Sequence, residues 1–127
     1  MKKYQRMYHG SPAKGLKILK PHFDRRLKIK AVFLSDEIFG PMIFSLLKER
    51  HSSTVEYTTR RGKFITGKVI TKKPLLKSGW LYTFKVEKKA LYKKPRPHLK
   101  TSTPVLLVKK VTRKETLKLG WNIILKK

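Results

Sequence analysis

Tyr8-His9-Gly10-Ser11-Pro12 and Ala31-Val32-Phe33-Leu34-Ser35 are the two stretches on which the fold turns. Residues 4–9 read as a short opening strand, and the Gly-Ser-Pro that follows is a turn signal. Leu16, Ile18 and Leu19 form a small apolar patch before Pro21, and residues 22–30 read as a basic loop. Ala31 to Leu34 is a continuous apolar run and reads as a buried strand. Ser35 or Asp36 then caps a helix. Its apolar stripe is Ile38, Phe39, Met42, Ile43, Leu46 and Leu47, at i, i+3, i+4 spacing. Gly40-Pro41 interrupts the first turn, so the regular helix is expected near residues 41–50.

Beyond the helix, residues 48–62 are polar and read as a mobile loop. Phe64 to Ile70 reads as a strand. The clearest strand is Trp80 to Val86. Trp80, Tyr82, Phe84 and Val86 alternate with Leu81, Thr83 and Lys85, a period of two with one aromatic face. Such a stripe is more often core than nucleobase platform. Lys93 to Pro97 is a rigid basic connector. Val105 to Val111 and Trp121 to Leu125 supply two more strands, with a turn at Gly120. The chain is therefore expected to be one α+β domain over residues 1–127, mostly β, with one main helix.

Charge is the outlying quantity. The 127 residues carry 33 Lys and Arg against 7 Asp and Glu, a net +26. It is not gathered in a tail: residues 1–63 hold net +10 and residues 64–127 net +16. Arg25-Arg26, Arg60-Arg61, Lys72-Lys73 and Lys93-Lys94, with Arg96, are spread between ordinary core residues. With so few acids, most cations lack an intramolecular partner, and a compact domain at this charge needs an external polyanion. Nucleic acid, RNA or DNA, is the expected partner, and these nine side chains are the candidate contacts. Anionic membrane is the weaker expectation, since no long basic amphipathic helix is visible.

Other chemistries are excluded or unmarked. There is no cysteine, hence no disulfide, thiolate metal site or Cys nucleophile. His9, His22, His51 and His98 show no zinc-ligand spacing, so no metal is expected. P-loop, GxGxxG, GxSxG and zinc-finger patterns are missing. No apolar segment follows Lys2-Lys3 and none is long enough to span a bilayer. The expected location is cytoplasmic, or within a nucleoprotein particle, and not secreted.

The order of the two opening stretches resembles the His-type branch of the ADP-ribosyltransferase superfamily. There the first strand ends in His-Gly followed by Ser or Thr. The second reads like Val-Phe-Leu-Ser, and a helix follows directly. The resemblance covers about the first 50 residues; Gly79-Trp80-Leu81-Tyr82 and Ser102-Thr103-Pro104-Val105 resemble later parts of the pattern more loosely. It implies two packed sheets with a helix against them, and NAD as the bound nucleotide. Tyr8, His9, Gly10 and Ser11 would line the NAD site. His9 would hydrogen-bond a ribose hydroxyl, and the Gly10 backbone would hold the nicotinamide carboxamide. Ser35 would face the same cleft. Tyr8, Phe33 and Phe39 are the aromatic candidates for stacking on nicotinamide. Read without the resemblance, His9 is a partly buried strand-end histidine.

The resemblance also implies a late Glu, near His98 to Ser102. The chain has no acid there. Glu87 and Glu56 are the only acids between residues 50 and 114, and Glu87 is the candidate third catalytic residue beside His9 and Ser35. Three readings stand. One of these acids reaches the cleft; or the chain works without it, as RNA 2′-phosphotransferases of this fold do; or it has lost catalysis. The functional expectation is thus transfer of ADP-ribose from NAD to nucleic acid or a nucleic-acid-bound protein. The alternative is a non-catalytic basic protein in a ribosome-like, virion or chromatin-like particle.

Overall fold

In a computed structural model of the chain, which describes residues 3–48 and 52–126, the strand with the plainest alternation is the central one. Eleven strands are described: β1 Tyr4–Ser11, β2 Ile18–Leu19, β3 His22–Asp24, β4 Ile29–Phe33, β5 Thr54–Arg60, β6 Lys63–Thr71, β7 Ser78–Glu87, β8 His98–Leu99, β9 Thr103–Pro104, β10 Leu107–Thr112 and β11 Trp121–Leu125. Two helices, α1 Phe39–Phe44 and α2 Arg113–Leu119, join them. β7 lies between β1 and β10, antiparallel to both. Its aromatic face is covered, and so is the other. Tyr82, Phe84 and Val86 pack with Met7, Leu19, Val32, Leu34 and Leu99. Leu81, on the opposite face, packs with Ile43, Leu46, Val69, Val111 and Trp121. A strand buried on both sides explains why Leu81 and Thr83, the positions between the aromatics, are buried too.

The two packed sheets implied by the resemblance become four hydrogen-bonded groups among the described residues: β1-β7-β10, β11-β6-β5, β3-β4-β8 and the pair β2-β9. The second core lies between β1-β7-β10 and β11-β6-β5, with α1 inserted. Two glycines seat the helix. A Cβ on Gly10 would stand 1.7 Å from the Pro41 carbonyl oxygen, and one on Gly79 2.1 Å from that of Ser45. Neither strand could approach α1 with any side chain at these positions.

Several expectations need correction. α1 is shorter than the span 41–50. It starts at Phe39, with Pro41 still inside the first turn, where its missing N–H costs nothing. It closes where the Ser45 hydroxyl donates to the Met42 carbonyl at 2.6 Å and the next N–H bonds shorten to i→i+3. Residues 49–50 lie outside the described residues, as does His51. Neither Ser35 nor Asp36 caps α1; the flanking residue is Ile38, without a side-chain cap. The Ser35 hydroxyl instead accepts from the Glu37 N–H (3.1 Å) and donates to the Glu37 carbonyl (2.8 Å).

The polar stretch 48–62 holds a strand, β5, in which Val55, Tyr57 and Thr59 are half-buried and the residues between them exposed. Residues 22–30 form a hairpin, β3–β4, around the loop Arg25 to Lys28. Before Gly120 lies α2, closed at its start by a capping box. The Glu115 N–H donates to the Thr112 hydroxyl at 3.2 Å, and the Thr112 N–H to the Glu115 carboxylate at 2.7 Å. Gly120, at φ 119°, ends it, and β11 then pairs parallel to β6. β10 is the terminal strand of its sheet, and Leu106, Leu107 and Val108 stand about half exposed there.

Candidate functional site

The two opening stretches meet. Tyr8 and Ser35 form a β-bridge, with Tyr8 N–H donating to the Ser35 carbonyl at 2.7 Å and Ser35 N–H to the Tyr8 carbonyl at 2.9 Å. Peptide groups alternate along a strand. Gly10 therefore turns its N–H and C=O to the edge of β1 that Tyr8 uses for Ser35, away from β7. His9 is half-buried and lies across from Tyr82. The Tyr82 hydroxyl donates to the Ala13 carbonyl and accepts from the Leu16 N–H at 3.4 Å, which straps the segment after Pro12 down beside His9. Ser11 is half-buried, and its hydroxyl accepts from the Ala13 N–H at 3.1 Å.

Thus Tyr8 and Ser35 are brought together, while Tyr8 and His9, as strand neighbours, face opposite sides of β1. Glu87 is not beside them: it pairs with Tyr4, five residues from His9 along β1, roughly 17 Å of strand. Glu56 lies on β5, with its carboxylate 3.9 Å from the Lys68 ammonium. Of the aromatic candidates, Tyr8 and Phe39 pack against the second core, and Phe39 touches the rings of Tyr57 and Phe64. Phe33 has the Arg96 guanidinium 5.7 Å from its centre.

The acids nearest the bridge in the chain are Asp36 and Glu37, neither of them among the catalytic candidates. Asp36 is exposed. Burial, with the Glu37 carboxylate beside it, pushes the Tyr57 phenol up to about 12. Where the resemblance implies a Glu, the chain places a buried histidine. His98, 2% exposed, pairs with Phe33, and its Nδ1–H donates to the Arg96 carbonyl at 2.6 Å. Tyr92 stacks on its ring at 5.2 Å.

All nine candidate nucleic-acid contacts are exposed. Arg25 and Arg26 stand in the β3–β4 loop, Arg60 and Arg61 at the β5–β6 turn, Lys72 and Lys73 just after β6, and Lys93, Lys94 and Arg96 in the connector before β8. They form no single cluster: β6 alone separates Lys72 and Lys73 from Arg61 by its whole length. Among the described residues, no group of three His, Asp or Glu could hold a metal ion, and no helix is long and apolar enough to cross a membrane. Comparison with protein-family models, with curated proteins and with solved structures returns no match.

Proposed function

We propose that this chain is a nucleic-acid-binding domain that holds its partner by neutralising phosphates. The observation that carries this reading is +26 over 127 residues, with all nine singled-out cations exposed. Glu56 pairs with Lys68 at 3.9 Å, and seven acids in all face thirty-three Lys and Arg. Phosphate contacts position without reading sequence, so weak sequence preference and a place in a nucleoprotein particle follow. The test is a titration of mixed-sequence DNA and RNA over a range of salt. Affinity should fall steeply as salt rises. Absence of binding at low salt would remove the reading.

A second reading is favoured by the Tyr8–Ser35 bridge: an ADP-ribosyltransferase-like domain that binds NAD at Tyr8 to Ser11 and Ser35 and modifies the bound nucleic acid or a protein on it. The residues fit NAD only in part. Gly10 offers its peptide edge, but its missing side chain is already accounted for by the Pro41 carbonyl. Glu87 stands at the far end of β1. We derive no transfer step from this set. NAD should raise the melting temperature and His9→Ala should abolish the shift. Incubation with radiolabelled NAD and separate pools of RNA, DNA and protein then tells a transferase from a binding domain.

A further inference from the structure

The nine exposed cations are not equivalent. The β5–β6 hairpin turns through Arg61 and Gly62, at φ 53° and 76°, with Arg60 paired to Lys63. Two successive left-handed residues make a type I′ turn, the tightest way to close a twisted ribbon. β11 supports β6 only from Gly67 to Thr71. Lys63 to Thr66 therefore pair with β5 alone and extend past the sheet as a two-stranded ribbon. Its length is roughly 13 Å.

The ribbon is rooted and aimed. Phe64, one pair in from the turn, packs on Trp121 at 5.0 Å and on Phe39 at 5.5 Å, which pins one face of the ribbon to the body and leaves the other outward. The register steps from Thr58↔Thr66 to Thr59↔Phe64, so Ile65 is the extra residue of a β-bulge. Bulges bend a strand and redirect a side chain, and Ile65 is 55% exposed. Arg60, Arg61, Gly62 and Lys63 are all exposed, and nothing lies within 4 Å of where a Gly62 side chain would be. The hairpin's one acid, Glu56, is at its base with Lys68. By contrast, the β3–β4 loop keeps an acid of its own, Asp24, whose carboxylate accepts from the Leu27 N–H at 2.9 Å.

We infer that the β5–β6 ribbon is the element that enters the groove of duplex DNA, with Arg60, Arg61 and Lys63 on the phosphates and Ile65 against base edges. This rests on the nucleic-acid reading above. The B-form major groove, about 12 Å wide and 8.5 Å deep, admits a two-stranded ribbon, and thymine methyls there offer an apolar partner. The A-form groove of duplex RNA is deep and too narrow for it, so the geometry points to DNA.

The test compares two triple variants of equal charge. One is Arg60→Ala, Arg61→Asn, Lys63→Ala; the other, in the β3–β4 loop, is Arg25→Ala, Arg26→Ala, Lys28→Asn. Asn keeps the left-handed position in each, since Lys28 also has positive φ, 56°. Circular dichroism checks that both fold. Binding to a mixed-sequence DNA duplex and to the matching RNA duplex is measured against salt. The ribbon variant should lose about tenfold or more in DNA affinity and flatten the log–log salt slope by about 2 to 3, from roughly 0.9 per phosphate contact. The loop variant should lose clearly less, and RNA affinity should fall alike in both. Equal loss of DNA affinity in the two variants would overturn the assignment in favour of a diffuse surface. The same selective loss on duplex RNA would overturn the groove. Failure of the native protein to bind either duplex at low salt would instead overturn the binding reading itself.

Discussion

The β3–β4 and β5–β6 hairpins both carry a cluster of cations at the turn, yet they solve the turn differently. β3–β4 closes through four residues, Arg25 to Lys28, with the Lys28 N–H donating to the Asp24 carbonyl at 2.7 Å and the Asp24 carboxylate tied to the Leu27 N–H. That bond, opposed by slight desolvation and helped by Arg26 and Arg96, holds the Asp24 carboxyl below the usual carboxylate range. β5–β6 closes through two residues and has no acid at its tip. One hairpin spends part of its cationic field on its own fold. The other leaves it to solvent or to a ligand. Equal charge counts at two turns thus differ in availability, and only geometry tells them apart.

The sharpest break in this comparison is at the root of the ribbon. A Cβ on Gly67 would stand 2.6 Å from the Trp121 ring and 2.8 Å from that of Phe64. Gly67→Ala should destabilise the fold by about 2–3 kcal/mol, measured by urea unfolding; a neutral result would mean that the ribbon is not anchored by these rings. Gly62→Ala places a side chain in open space but at φ 76°, so backbone strain alone should cost about 1 kcal/mol. A larger loss would reveal packing at the tip.

Tyr57, on the inner face of β5, sharpens the contrast through pH. Its folded value, about 12, lies above the ordinary phenol value of about 10. The folded state therefore holds its proton longer than the unfolded chain, and the stability this brings is present below pH 10 and lost as pH rises through 12. In an ultraviolet titration of the folded protein, one of the five tyrosines should ionise last, and Tyr57→Phe should remove that step. Asp24 gives the smallest effect and the opposite sign. Its contribution is present above the ordinary carboxylate range and lost as pH falls through its lowered value. By NMR the Leu27 amide shift should follow the Asp24 carboxyl titration with one midpoint, and Asp24→Asn should abolish both.

β7 was legible because an aromatic at every second residue leaves one reading. β5 was not, because Thr54, Glu56, Thr58 and Arg60 lend the stretch a loop's polarity while Val55 and Tyr57 carry the alternation. The capping box of α2 stood in the sequence as Thr112-Arg113-Lys114-Glu115, followed by Gly120 at the far end, but seven residues make too little stripe for periodicity to register. α1 was read too long because Leu46 and Leu47 continue the apolar pattern. They are buried, but in the tightened turn after the helix. Of the site, the two opening stretches that carry the resemblance lie side by side through the Tyr8–Ser35 bridge. The Glu37–Tyr57 pair and the burial of His98 were not legible, because each depends on contacts between segments distant along the chain.

The outer edge of β10, which no strand among the described residues covers, bears on solution behaviour. Leu107 and Val108 stand about half exposed there beside Lys109 and Lys110. Mutual repulsion between molecules at +26 keeps such edges apart in dilute buffer. The same charge therefore acts as a colloidal guard. Any polyanion that cancelled the charge would also lift the guard and leave strand pairing between neighbours open.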